Sequence, residues 1–140
     1  GNGLIKGDAR AFSEETNKVI EENMRQLVGG ICDAYGFSYE VKYETSCPMT
    51  FNQSKQADSA TKAAVNLLGE QNTDGDIDPR PFSEDFSIMA QAKPGCFVLM
   101  GNGTSGCNGK PLHSPDYDFN DKLLVIGSSY WSELVEQQLK

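Results

Sequence analysis

The sequence predicts an α/β protein, an α+β portion followed by an α/β portion, and three observations carry that expectation. Residues 37–44 alternate, with Phe37, Tyr39, Val41 and Tyr43 against Ser38, Glu40, Lys42 and Glu44. That is the pattern of a strand with one buried and one wet face, as in an antiparallel sheet packed on helices. Cys96–Met100 is a short apolar run of the kind that forms a buried strand. Around these stretches, apolar residues recur at helical spacing in several segments.

Residues 4–12, LIKGDARAF, alternate weakly and read as a first strand. Ser13 suits an N-cap, with Glu14 and Glu15 in the first turn where the helix dipole favours anions. The helix is expected to reach Tyr35, because Ile20, Met24, Leu27 and Ile31 keep to one face, and Gly36 is its stop. With the alternating strand that follows, the opening portion reads β-α-β, a unit that needs further strands to be stable. Cys47-Pro48 closes it, and residues 46–54 read as a hinge or crossing loop.

A second helix is expected over about 55–68, through Ala60, Ala64, Leu67 and Leu68, with Gly69 as its cap. Its alanines suit close packing against a sheet. Residues 70–81 are a polar loop. A short helix is expected from Ser83 as N-cap, with Glu84 and Asp85 in its first turn and Phe86, Met89 and Ala90 on one face. Lys93-Pro94-Gly95 ends it. The last helix runs from about Asp121 to Leu139, with Leu123, Ile126, Tyr130, Leu134 and Val135 as its buried side.

The stretch from Pro94 to Asp121 is the one around which the rest is organised. After the apolar run comes a loop with Gly101, Gly103, Gly106 and Gly109, then Pro111-Leu112-His113-Ser114-Pro115 with the only histidine. The flanking prolines bias this segment toward extended backbone, because a residue before proline avoids the helical region. A strand, a flexible loop and a held imidazole at a strand end is how an α/β site is commonly built.

Composition sets bounds. The 140 residues allow one ordinary domain or two small lobes, and 38% hydrophobic with 23% charged residues is globular. A formal charge of −8 without any basic stripe argues against nucleic acid. No apolar run reaches membrane-spanning length and no signal-peptide pattern is present, so a cytoplasmic protein is expected. Cys32, Cys47, Cys96 and Cys107 show no CxxC spacing, which argues against a zinc ribbon. Free thiols are the default, and a Cys96–Cys107 pair stays open.

Taken singly, the motifs are weak. Gly101-Asn-Gly-Thr-Ser-Gly106 matches GxGxxG but opens no helix, so no helix N-terminus is there to receive a pyrophosphate. Asp74, Asp76 and Asp78 imitate a calcium loop, yet Pro79 stands where the turn needs glycine and Asp85 where it needs glutamate. No GxSxG supports a serine triad around His113. Alone, His113 reads as a structural hydrogen-bonder, Arg10 as a surface residue, and Glu84 and Asp85 as helix-start charges.

Together the motifs resemble a family. Gly7-Asp-Ala-Arg10-Ala-Phe12 before a long amphipathic helix resembles the "G-x-x-R-x-F" strand of the aminoacylase/carboxypeptidase group of zinc-type peptidases. The branch it is most similar to is that of the hippurate hydrolases and indole-acetyl-amino-acid hydrolases, the N-acyl-amino-acid amidohydrolases. Tyr43 to Asn52 is similar to "Y-x-x-x-x-P-x-x-x-N", and Ser83-Glu84-Asp85-Phe86 to an "EDF" segment. Pro94-Gly95-Cys96-Phe97 to Gly101, then Leu112-His113-Ser114-Pro115 and Tyr117-Asp118-Phe119-Asn120-Asp121, resemble a C-terminal signature. The ordered run covers essentially the whole chain. Asp8 departs from it, standing where the family often has threonine.

The resemblance implies an incomplete two-domain metallohydrolase fold. Residues 1–46 would be the second half of a ferredoxin-like lid that commonly mediates homodimers. Residues 47–140 would be the C-terminal part of the catalytic domain with part of its sheet. Gly1 as first residue fits an excised fragment, inactive alone, whose missing front portion carries the other metal ligands and a glutamate base. His113 would be a ligand to zinc or manganese, one or two ions in the whole enzyme, and Arg10 would grip the substrate carboxylate. Gly101 and Gly103 would line the cleft, with Glu84 and Asp85 in support. The implied reaction is metal-assisted hydrolysis of the amide of a small N-acyl amino acid or peptide. The alternatives are a non-catalytic α/β binding or dimerisation module and, last, a disulfide-dependent extracellular domain.

Overall fold

A computed structural model describes all residues, Gly1–Lys140. Its elements are helices: α1 (Glu14–Tyr35), α2 (Ser54–Leu68), α3 (Phe86–Ala92) and α4 (Leu123–Leu139), with short 3-10 turns at Glu70–Asn72 and Cys107–Gly109. No β-strand forms, which overturns the α/β expectation: neither the sheet of a ferredoxin-like lid nor a catalytic sheet is present. The chain divides into two units. One comprises Gly1–Phe51 and Asp78–Lys93, the other Asn52–Ile77 and Pro94–Lys140.

In the first unit α1 begins as its cap dictates. Ser13 is extended (φ −152°) and its hydroxyl accepts from the Thr16 N–H at 3.0 Å. Gly36 ends the helix in the left-handed region (φ 69°), while the Phe37 N–H reaches the Cys32 carbonyl at 2.8 Å. The chain then turns back along α1. The Tyr43 hydroxyl donates to Asn17 Oδ1 at 2.6 Å, and Asn17 Nδ2 donates to the Thr45 hydroxyl at 3.2 Å. Arg25 Nη1 donates to the Val41 carbonyl at 2.9 Å, while its Nε and Nη2 hold Glu21 Oε1. The Tyr39 hydroxyl lies 2.8 Å from where a side chain on the buried Gly29 would begin.

This explains the missing strand at 37–44. The alternation holds only over 41–44, where Val41 and Tyr43 are half-buried and Lys42 and Glu44 exposed; Phe37 and Tyr39, expected on the same buried face, are exposed. A sheet needs in addition a neighbour that exchanges backbone hydrogen bonds, and here side chains of α1 take that place. The ridge of α1 that faces the returning segment is therefore Asn17, Glu21, Arg25 and Gly29, spaced by four, with Arg25 itself still exposed. The predicted face lies beside it: Ile20 is half-buried, but Met24, Leu27 and Ile31 are exposed.

The other two expected strands fail for the same reason. Leu4 and Ile5 are exposed, with no ladder beside them. In the second unit, Asn52 Oδ1 accepts from the Phe97 N–H at 2.7 Å and Asn52 Nδ2 donates to the Phe97 carbonyl at 2.9 Å. One carboxamide thus meets both backbone groups that a neighbouring strand would have used, and Val98, Leu99 and Met100 stay exposed.

The second unit has the best-defined core. α2 lies against α4, with Ala60, Ala63 and Tyr130 buried. The alanines let two backbones approach, so they pack against a helix and not against the expected sheet. Tyr130 donates to the Ala60 carbonyl at 3.4 Å, Gln137 to the Ser59 carbonyl and hydroxyl at 3.0 and 2.8 Å, and Asn66 to Glu133 at 2.9 Å. Burial pushes the Tyr130 phenol up, with Cys96 adding to it. Leu123, Ile126 and Leu134 are half-buried as expected of that face, whereas Val135 is exposed. Gly69 follows α2, its N–H reaching the Val65 carbonyl at 2.8 Å.

Candidate functional site

Residues 101–120 form a loop whose shape is set by asparagine amides. Asn102 Nδ2 donates to the Asn108 carbonyl at 3.0 Å and to the Asp118 carbonyl at 2.7 Å. Its Oδ1 accepts from the Asn120 N–H at 2.9 Å, and its carbonyl accepts from Asn120 Nδ2 at 3.0 Å. Asn108 Nδ2 adds a bond to the Asp118 carbonyl at 3.2 Å. These bonds tie the two ends of the loop together, with His113 between them. Tyr117 and Phe119 stack edge to face at 5.1 Å on the returning arm.

His113 is exposed and sits at the third position of a tight turn, Pro111 to Ser114, closed by the Ser114 N–H on the Pro111 carbonyl at 3.1 Å. Its φ is +68°, the only positive value among non-glycine residues of the chain. That position of such a turn calls for glycine or asparagine, so an imidazole there is held at a local cost. The extended segment expected from the prolines is thus replaced by a turn. A second turn follows, with the Tyr117 N–H on the Ser114 carbonyl at 3.1 Å and the Asp116 N–H on the Ser114 hydroxyl at 3.3 Å.

The two candidate glycines differ. At Gly103 (φ +148°) a side chain would begin 3.0 Å from Asn108 Cβ and 3.3 Å from the Asn108 carbonyl oxygen. Glycine is required there by the path of the loop itself. Gly101 has open space around it.

The remaining candidates lie in the first unit. Arg10 is exposed and paired with Asp8 through Nη2 and Oδ2. Glu84 is half-buried and Asp85 exposed, and their carbonyls accept the Ser87 and Ile88 N–H groups at 3.1 and 3.0 Å. α3 starts later than expected: Asp85, not Ser83, holds the cap position, and no side chain caps it. Ser87 is fully buried, and its hydroxyl is without a hydrogen-bond partner.

A catalytic zinc-type site uses three protein ligands and a structural one uses four. No group of three or more His, Cys, Asp or Glu in the chain could hold an ion. The residues present therefore do not close a metal site among themselves, and His113 offers a single imidazole. All four cysteines are free; Cys96 is half-buried, which raises its thiol pKa, and Cys107 is exposed.

Reading the sequence missed Asn102 and Asn108. Both precede a glycine, a turn-forming pair that could have marked them. Asn52 and Asn120 stood only as letters of a motif; the structure gives each a backbone to hold. No helix is long and apolar enough to cross a membrane.

A loop presenting one imidazole defines a class more readily than a single protein. The chain belongs to peptidase family M20/M25/M40, whose family model matches residues 4–137. That agrees with the resemblance read from its motifs. Among its relatives, the hippurate hydrolase of Campylobacter jejuni is 32% identical over 136 residues, covering 97% of this chain and 34% of the relative. The N-acetylcysteine deacetylase of Bacillus subtilis is 31% identical, covering 93% of this chain and 32% of the relative. Thermostable carboxypeptidase 2 of Saccharolobus solfataricus is 30% identical, covering 89% and 31%. The chain thus spans about a third of the length of these curated relatives. No solved structure matches it.

Proposed function

We propose that this chain belongs to a hydrolase that cleaves the amide bond of N-acyl amino acids, hippurate-like, or of small peptides. The observation that carries the reading is the family match over residues 4–137, with relatives named as a hippurate hydrolase, a deacetylase and a carboxypeptidase. Residues 1–46 serve the substrate-covering and homodimer-forming portion, and residues 47–140 the catalytic portion.

In this reading His113 gives one nitrogen ligand to a divalent ion, zinc or manganese. The other ligands and the general base come from residues outside this chain. The turn that forces His113 to positive φ supports the assignment, because such backbone cost concentrates where function demands it. Arg10 receives the free carboxylate of the amino-acid portion through its planar fork, which orients the amide to be cut. Gly101 leaves room for substrate beside the loop, and Glu84 and Asp85 are assigned a supporting role.

The test uses the complete protein. His113→Ala should lower its bound metal and abolish hydrolysis of N-benzoylglycine; an unchanged metal content removes His113 from the site. Arg10→Lys should raise KM for N-benzoylglycine about tenfold with a smaller change in kcat, since bidentate recognition is lost. Wild-type kinetics in that variant discard the carboxylate role.

A further inference from the structure

Arg10 is already engaged. Its Nη2 donates to Asp8 Oδ2, two residues earlier on the same segment. The contact is one nitrogen to one oxygen, whereas the guanidinium fork can take a carboxylate through two parallel bonds. Arg10 is 42% exposed and Asp8 73% exposed. An exposed pair of this kind contributes little to stability. Its consequence lies in charge: the arginine that would attract an anionic group is neutralised by its own neighbour.

We propose that Asp8 is a specificity-determining residue. It competes with the substrate carboxylate for Arg10, and it shifts preference toward substrates whose corresponding end is uncharged. The inference rests on the reading of Arg10 as the carboxylate-binding residue. Two like charges about 4 Å apart in water repel by enough to change binding about fivefold, and salt screens the effect. An isosteric, uncharged Asp8→Asn removes that repulsion and frees the fork.

The experiment compares wild type, Asp8→Asn and Arg10→Lys in the complete protein, using N-benzoylglycine and its neutral carboxamide, N-benzoylglycinamide. Asp8→Asn is expected to lower KM for the acid about fivefold at low salt, with kcat and the KM of the amide unchanged. Raised salt should shrink the gain. An unchanged acid KM overturns the proposal, as does an equal change for both substrates. A raised acid KM also overturns it, because Asp8 would then be orienting Arg10 and not competing for it. Arg10→Lys separates the two layers. If it raises the acid KM alone while Asp8→Asn has no effect, only the competition is refuted. If it leaves the acid KM unchanged, the carboxylate role of Arg10 falls and the competition falls with it.

Discussion

α1 and α2 have similar amphipathic patterns and very different fates. α2 brings small residues against larger ones of α4, and Ala63 and Tyr130 lose nearly all contact with water. α1 meets a returning chain segment through polar bonds, and among its residues only Gly29 is fully covered. A hydrophobic period therefore marks a face that can be buried. Whether it is buried depends on what comes to lie against it, and that is not a property of the helix's own sequence.

The comparison can be broken at its strongest point first. Tyr130→Ala should destabilise the chain by about 3 kcal/mol in chemical denaturation, the cost of emptying a buried aromatic position. A loss below about 1 kcal/mol would mean that the α2–α4 contact is not the main core. Ser13→Ala should cost about 1 kcal/mol and reduce the helical signal, because the Thr16 N–H loses its acceptor. His113→Gly should raise stability by up to about 1 kcal/mol, since glycine adopts the left-handed region without a Cβ clash. Destabilisation there would show that the imidazole makes a contact outweighing its backbone cost. Leu27→Ala on the open face of α1 should change stability by less than about 0.5 kcal/mol. A larger loss would place a partner on that face.

The smallest effect is a pH dependence at the start of α1. Hydrogen bonds from its own backbone N–H first, and Ser13 second, hold the Glu15 carboxyl below its ordinary range. A lowered folded value means that the contribution is complete above the unfolded pKa and disappears as pH falls through the folded one. An acid titration of helicity should therefore show slight fraying of α1, absent in Glu15→Gln.

Helices were legible because their signals are local. Ser13, Gly36 and Gly69 set limits that the structure keeps to within a residue or two. Strands were not, because a ladder is a relation between two segments and alternation describes only one. Phe97 shows the difference: its backbone partners come from Asn52, distant in sequence and carrying no strand pattern. At the site, the motif order singled out His113 and Arg10, and the family match bears out the resemblance those motifs carried. The turn under His113 escaped, because proline arguments bias the neighbours of a residue and do not fix its own φ. The amides holding the loop escaped too, since a lone asparagine carries no sign of what it will bind.

The closure of the loop at Asn102 makes chemical identity matter more than size. Its nitrogen faces two carbonyl oxygens, those of Asn108 and Asp118. Exchanging that one atom for oxygen, as aspartate would, keeps the volume and sets lone pairs against lone pairs. The clasp around the histidine would then push its own ends apart, without a single contact having become too large.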